Sequence, residues 1–280
     1  MCTRFTLACL AIVLVLNPLH CRAVTAECPG FFVGGQLPAL FNPKLEQDTY
    51  LLCNRAYANL ASAVTRRPIW SAEHLTAAGL AAAGHTPREG EFHPEDSLPD
   101  EAQAQLADYK RSGFDRGHMT PSGDMPDEAA QQESFSLANI VPQTPELNRG
   151  IWERIETTAR EMAQRDGEIY IVTGPAYHGQ DLQSLQGRVL VPTSTWKAIY
   201  DPRAGAAGAY VCKNLKTPTC VVLPVSEITR IVGVDPFPAL PASLKETVMP
   251  LPLPQSRHRD HVPPTSQDWL ELLLNFLGVT

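Results

Sequence analysis

The sequence has no excess of positive charge. Its 280 residues include 23 Lys and Arg against 30 Asp and Glu, which gives a net charge of −7. A protein that binds nucleic acid through bulk electrostatics is expected to be basic. Such a binder is therefore excluded, and any function on nucleic acid must depend on a local site. With 44% hydrophobic and 19% charged residues, the composition is that of a folded globular protein and excludes a disordered chain.

Long hydrophobic runs are missing after the first 23 residues. The apolar run 7–16 follows Arg4 and precedes a small residue, Ala23. This pattern indicates a secretory signal peptide over residues 1–23, and the run is too short to span a bilayer comfortably. The alternative is an N-terminal membrane anchor that stays attached. A lipoprotein signal ending at Cys21 is disfavoured because a bulky residue precedes that cysteine.

Removal of residues 1–23 would leave 21 basic against 30 acidic residues, a net charge of −9. The expected location is therefore secreted or periplasmic, without membrane association once the signal is removed.

The sequence also lacks C-x-x-C spacing. Four cysteines follow the signal segment, namely Cys28, Cys53, Cys212 and Cys220. An even number in an exported chain favours disulfides, and three connectivities are open. We favour Cys28–Cys53 with Cys212–Cys220, because each pair is local in the chain. A zinc site is the rival, and the absence of nearby paired histidines disfavours it.

No internal repeat and no strict β-α alternation is present, so the order of elements predicts an α+β fold. Residues 49–64 and 66–76 predict an early strand pair, and 79–109 a long loop with a short helix at 100–109. Later strands are predicted at 168–175, 188–201 and 209–225, and a short helix at 226–233, with Ser226 as N-cap and Gly233 at its end. We expect a signal peptide at 1–23, a domain at 24–240, and a Pro-rich tail with a short C-terminal helix at 241–280.

The clearest predicted helix covers residues 148–167, where apolar residues recur at three- and four-residue steps and Gly167 follows the end. Asn148, Glu156 and Arg160 lie at multiples of four residues and would form one polar stripe on this helix. The simpler interpretation is a solvated face with a Glu–Arg pair worth a few tenths of a kcal/mol.

The stretch DRGH at residues 115–118 places four chemically different residues side by side. His118 can take a proton from water, and an amide oxygen such as that of Asn148 can bind a hard cation with water filling the other positions. A carboxylate such as Glu156 can orient that water, and arginines can hold a phosphate through forked hydrogen bonds. DRGH alone is only suggestive, because short motifs also arise by chance and a lone histidine is more often structural.

Three segments taken together are more specific: SGFDRGHMTPSGDM, SLANIVPQTPELNRGIWERIE and EIYIVTGP. They resemble the DNA/RNA non-specific endonuclease family, which includes secreted bacterial nucleases and a mitochondrial endonuclease. The resemblance covers roughly residues 50–240, in the family's order. It implies a central antiparallel sheet flanked by helices and a ββα-metal active-site motif.

The resemblance also implies roles for individual residues. His118 would be the general base that activates water, and Asn148 the single direct protein ligand of Mg²⁺. Glu156 would hold metal-bound water. Arg160 and Arg116 would contact the phosphate.

Three further residues enter through the same resemblance. Asn139 would support the active-site loop, and Arg88 is the best match to an upstream arginine that helps catalysis. Asp115 would orient the turn that aims His118.

The implied function is a Mg²⁺-dependent endonuclease, with Mn²⁺ as another possible cation. Its substrates would be DNA and RNA, cut with little sequence preference to leave 5′-phosphates. Two alternatives stay open: a phosphodiesterase restricted to one nucleic acid, and an exported binding protein that keeps the fold without activity. An inhibitor protein as partner, and the oligomeric state, stay undetermined.

Overall fold

The computed structural model describes residues 27–253. The predicted signal peptide and the predicted C-terminal helix lie outside these residues. Within the described part of the chain, no helix is long and apolar enough to cross a membrane.

The described residues form mainly short strands and helices. The strands are β1 (Ala39–Leu40), β2 (Thr49–Cys53), β3 (Ala58–Ser62), β4 (Arg67–Thr76), β5 (Asp115–His118), β6 (Ile140–Gln143), β7 (Glu168–Ala176), β8 (Ser184–Leu185), β9 (Val189–Leu190), β10 (Ser194–Asp201), β11 (Ala206–Lys213), β12 (Cys220–Leu223) and β13 (Val234–Asp235). The α-helices are α1 (Ala77–Ala83), α2 (Leu106–Tyr109), α3 (Glu128–Ser134), α4 (Glu153–Asp166), α5 (Val225–Val232) and α6 (Ala242–Glu246).

Seven strands build one antiparallel sheet in the order β12-β11-β10-β7-β4-β3-β2. Strand β7 lies at its centre, between β10 and β4. The strands β5 and β6 form a separate antiparallel hairpin, and the helical segment that follows them completes a ββα motif. The predicted α+β class with a central antiparallel sheet is therefore confirmed.

Side chains alternate between the two faces of this sheet, as strand geometry requires. In β7, Ile171 joins the core under α4, whereas Val172 joins the core on the opposite face. The face under α4 also receives Ile155, Ala159 and Met162, which recur along that helix and are buried. The apolar residues that recur along the predicted helix thus form the face that packs on the sheet.

The helix predicted at 148–167 differs at its start. A π-helical turn covers Leu147–Trp152, with a non-helical conformation at Gly150, and regular α-helix begins at Glu153. Gly167 follows the end in a positive-φ conformation, as predicted. Asn148 therefore comes from a widened turn and not from the regular helix that carries Glu156 and Arg160.

Other local predictions were wrong in detail. The expected early strand pair is three strands, because a turn closed by Asn54 N–H donating to the Tyr57 carbonyl separates β2 from β3. The segment expected as a long loop begins with helix α1, which Thr76 caps. Only Leu106–Tyr109 of the short helix at 100–109 is helical. Helix α5 begins at Val225 after Pro224, so that Ser226 lies inside the helix and is not its N-cap.

Both favoured disulfides are present, Cys28–Cys53 and Cys212–Cys220. The first joins the segment before β1 to the end of β2, and the second joins directly paired positions of β11 and β12. The described part of the predicted tail packs on the domain. Met249 donates its N–H to the Ala207 carbonyl, and its side chain is buried together with that of Leu251.

Candidate active site

A cleft of about 670 Å³ opens beside the β5–β6 hairpin and the start of α4. Six of the seven residues predicted for the site line this cleft: Arg88, Arg116, His118, Asn148, Glu156 and Arg160. The seventh, Asn139, lies behind it. Segments separated along the chain thus meet at one surface, and the polar stripe faces this surface rather than bulk solvent.

Strand β5 presents the DRGH residues. Arg116 and His118 are two positions apart, so that alternation along the strand places both side chains on one face. Gly117 lies between them and packs directly against Gln143 of β6. A Cβ atom at position 117 would stand only 1.9 Å from Gln143 Oε1, so the position of the buried Gln143 side chain requires glycine here.

Asn139 holds the chain just after His118. Its side-chain Oδ1 accepts from the Thr120 N–H at 3.0 Å, and its Nδ2 donates to the carbonyls of Thr120 at 2.8 Å and Ser134 at 2.9 Å. Its own carbonyl accepts from the Met119 N–H. All these groups are buried, so the segment after the histidine is held in one conformation.

His118 is 8% exposed, and its ring packs against those of Phe92 and Phe135, with centroid separations of 5.4 and 4.9 Å. Its Nε2 is buried without a hydrogen-bond partner among the described residues. Burial, together with the nearby Arg88 cation, lowers the pKa of His118 to about 3. The imidazole is therefore neutral at pH 7 and can accept a proton. A phosphate anion in the cleft would raise this pKa and strengthen the base.

Asn148 is oriented by Asp115. The Asn148 Nδ2 donates to Asp115 Oδ2 at 3.1 Å, and Arg149 donates to both oxygens of the same carboxylate at 2.7 and 2.6 Å. Burial acts against ionisation, but the hydrogen bonds from Arg149 and Asn148 hold the pKa of Asp115 below its usual value. The prediction that Asp115 orients a turn leading to His118 was wrong, because both residues lie in strand β5. Asp115 instead binds the π-helical turn Leu147–Trp152 through Asn148 and Arg149.

Glu156 and Arg160 lie one turn apart on α4. Arg160 donates from Nη1 to Asp124 Oδ1 and from Nη2 to Thr157 Oγ1, both at 2.9 Å. Burial raises the pKa of Glu156 to about 7, Lys197 opposes this rise, and Asp124 adds to it. Glu156 therefore carries a fractional charge near neutral pH in the protein alone, and a bound cation would favour its ionised form.

Arginine side chains concentrate positive charge in the cleft of an acidic protein. Arg88, Arg116, Arg149 and Arg160 line the cleft. The Arg116 guanidinium lies 4.9 Å from the Phe92 ring centroid, which restricts its position. The cleft can therefore attract an anion such as phosphate, although the chain as a whole is negatively charged.

The groups present fit a hard cation held mainly by water. Within the described residues, no cluster of three or more His, Cys, Asp or Glu could hold a metal ion. Because Asn148 Nδ2 is engaged by Asp115, its Oδ1 is the amide atom left for a cation. An amide oxygen with a carboxylate nearby is a donor set that suits Mg²⁺, which retains several waters.

Comparison with known proteins places this geometry in a family. The model of the DNA/RNA non-specific endonuclease family matches residues 39–243. Mitochondrial nuclease EXOG of Danio rerio is 37% identical over 165 residues, which cover 53% of this chain and 48% of that protein. Nuclease C1 of Cunninghamella echinulata var. echinulata is 32% identical over 219 residues, 71% of this chain and 84% of that protein.

A solved structure supports the same conclusion. One chain in the crystal structure of the EndoG/EndoGI complex matches with a TM-score of 0.64 and 26% identity, over 69% of this chain and 88% of that chain. The protein belongs to the DNA/RNA non-specific endonuclease family. The resemblance of the motifs is thereby confirmed, and the relatives that the chain matches are named nucleases.

Sequence reasoning missed several residues that build this site. Arg149 and Asp124 were not singled out, although they pair with Asp115 and Arg160. Lys197 and Thr173 lie buried below the cleft and were also missed. The available signal was a lysine inside a predicted strand, between Trp196 and Ala198, where an unpaired lysine is not expected.

Proposed function

We propose that this protein is a Mg²⁺-dependent endonuclease that hydrolyses phosphodiester bonds of DNA and RNA with little sequence preference. The observation that carries the proposal is the meeting of His118, Asn148, Glu156 and Arg160 in one cleft. A neutral buried base, an oriented amide oxygen, a carboxylate and arginines are the groups that phosphodiester hydrolysis needs.

The chain's residues would divide the reaction as follows. His118 accepts a proton from a water molecule as its oxygen attacks phosphorus. The bond from phosphorus to the 3′ oxygen breaks, and this oxygen leaves with its own strand and takes a proton from solvent water. The phosphate stays on the 5′ oxygen of the other strand. Arg116 and Arg160 donate hydrogen bonds to the phosphate oxygens, whose charge grows in the transition state.

Two residues would serve the cation. Asn148 would bind it through Oδ1, and Glu156 would accept hydrogen bonds from its water shell. When bound, Mg²⁺ supplies neutralisation of the scissile phosphate and of the leaving oxygen. Mn²⁺ has similar ligand preferences and is expected to replace it.

Little sequence preference is expected because the charged groups of the cleft suit phosphate. Four arginines line it, and phosphate contacts position a nucleic acid without reading its sequence. We assign no residue to base edges.

The two disulfides fit a compartment outside the reducing cytosol. We propose that the protein is secreted or periplasmic, after removal of the predicted signal peptide. The matched EndoG chain was crystallised in a complex with EndoGI, and an inhibitor protein for the present chain is a corresponding hypothesis.

The test is digestion of plasmid DNA and total RNA by the purified protein, with Mg²⁺ and with EDTA. His118→Ala is expected to keep the fold and abolish cleavage of both substrates. His74→Ala is a matched control, because that histidine pairs with Glu168 and lies outside the cleft. End labelling of the products should reveal 5′-phosphates.

Each result has a defined meaning. Degradation of only one nucleic acid would establish the restricted phosphodiesterase. Nucleic-acid binding without cleavage by folded wild-type protein would establish the binding protein. Cleavage by His118→Ala within a few-fold of wild type would remove His118 from the role of general base.

A further inference from the structure

A fully buried lysine lies beneath the cleft. Lys197 is in the middle of β10 and has no exposed surface, although lysine is almost never fully buried unless it is paired. Its Nζ donates to Thr173 Oγ1 on the neighbouring strand at 2.8 Å. The same ammonium group reaches the segments that carry the candidate catalytic groups.

The first of these segments follows His118. Lys197 Nζ lies 3.5 Å from the carbonyl oxygen of Met119, the residue directly after the histidine. The adjoining Thr120 is tied to the sheet by a 2.7 Å hydrogen bond between its hydroxyl and that of Ser71. The end of β5 is therefore attached to the central sheet through buried polar contacts.

The second segment is the π-helical turn that carries Asn148. Its last residue is Trp152, which is buried, and Lys197 Nζ lies 5.6 Å from the centroid of that aromatic ring. A cation over an aromatic face is attracted by the ring, more strongly where water is excluded. Lys197 therefore contacts the junction between the turn and helix α4.

The third contact is electrostatic. Lys197 interacts electrostatically with three buried carboxyl groups, those of Glu73, Asp124 and Glu156. Burial raises the pKa of each of these carboxyls, and the Lys197 cation is among the groups that oppose that rise. Buried carboxylates without a nearby cation are costly, so loss of the lysine charge would disturb the position of Glu156.

We propose that Lys197 is a positioning residue that fixes the relative positions of His118, Asn148 and Glu156. It acts through its contacts with the Met119 carbonyl and the Trp152 ring, and through the positive charge of its own ammonium group. It would not touch the substrate. This proposal rests on the proposed nuclease function, since its consequence is a loss of turnover.

The experiment compares Lys197→Met with Lys245→Met in the full protein. Lys245 is the control, because it forms a largely buried 2.5 Å ion pair with Asp235 outside the cleft. Lys197→Met is expected to lower kcat on an oligonucleotide at saturating Mg²⁺ by at least about tenfold, with KM changed by less than about threefold. Lys245→Met is expected to lower only the melting temperature. Equal kcat in Lys197→Met and wild type, or equal losses in both variants, would overturn the proposal.

A second variant covers the case in which Lys197→Met does not fold. Thr173→Val removes the hydroxyl that accepts from Lys197 and keeps the shape of the side chain. We expect it to lower kcat by about threefold or more, with a smaller effect on KM. An unchanged kcat in folded Thr173→Val would then reject the positioning role.

Amide hydrogen exchange separates this proposal from the nuclease function. Exchange within 115–120 and 147–156 is expected to be faster in Lys197→Met than in Lys245→Met. If wild type does not cleave nucleic acid, the nuclease function fails, and this comparison still decides whether Lys197 orders the site. Equal exchange in the two variants would contradict the ordering role.

Discussion

The Asn148 side-chain amide donates a 3.1 Å hydrogen bond to the Asp115 carboxylate. This bond assigns the nitrogen to Asp115 and leaves the oxygen for the cleft. The first residue of DRGH is thus connected to the proposed metal ligand, and not only to its neighbours in sequence.

Replacement of Asp115 should therefore weaken the response to metal. In Asp115→Ala we expect the Mg²⁺ concentration for half-maximal activity to rise by about 10- to 100-fold, because groups that orient a ligand typically have effects of that size. Metal titration of oligonucleotide cleavage measures it. Arg149→Met, which retains the bond from Asn148 to Asp115, should shift the titration less. Equal shifts in the two variants would show that the ion pair matters and the orientation of Asn148 does not.

The low pKa of His118 should appear in the dependence of stability on pH. Between pH 6.5 and about 3, the unfolded histidine binds a proton that the folded one does not, so this group makes the protein less stable as pH falls. His118→Gln lacks this contribution. As the pH falls through this range, the free energy of unfolding of the variant should rise relative to that of wild type by up to about 1.4 kcal/mol per pH unit. Urea unfolding in EDTA measures it. A difference that is constant with pH would mean that the folded histidine titrates normally.

Gly117→Ala should disrupt the β5–β6 hairpin. The added Cβ would stand 1.9 Å from Oε1 and 2.4 Å from Cδ of Gln143, so this buried side chain must move. We expect a loss of about 1–3 kcal/mol in the free energy of unfolding. Adding Gln143→Ala removes the conflicting atoms and should recover part of the stability lost. Chemical denaturation of the two single variants and the double variant gives the coupling energy, and its absence would refute the steric explanation.

The two disulfides should contribute unequally. Cys28–Cys53 spans 25 residues and Cys212–Cys220 spans 8, so the first restricts the unfolded chain more. Replacing both cysteines of the first pair by alanine should lower the free energy of unfolding by about 3 kcal/mol, and replacing the second pair should lower it by less. Guanidinium unfolding of both double variants compares them. A larger loss for the second pair would indicate that strand pairing at the sheet edge outweighs chain entropy.

The sequence allowed the residues of the candidate site to be located better than the local structure around them. His118, Asn148 and Glu156 belong to motifs whose order along the chain is specific, and all three line the cleft. The π-helical turn at Leu147–Trp152 could not be foreseen, because an i, i+4 pattern is compatible with both helix types over one turn. The turn between β2 and β3 was missed because apolar residues continue on both sides of it.

Residues supplied by distant strands were harder to predict. Lys197 and Thr173 act as neighbours only because β10 pairs with β7, and that pairing depends on the fold of the whole sheet. Asp124 lies after DRGH in an irregular segment, and its pairing with Arg160 depends on how that segment meets α4. Propensity and periodicity describe single elements and carry no information on such contacts.

The ββα motif has a consequence for how sequences with this fold can vary. Apart from Arg88, the residues proposed to act directly lie between Arg116 and Arg160, on one continuous segment that rests on the centre of the sheet. Edge strands such as β2 and β12 can change in length or composition without altering the spacing within that segment. Variation at these edges then affects stability, above all at Cys53 and Cys220, whereas the central strands must stay compatible with one chemical reaction.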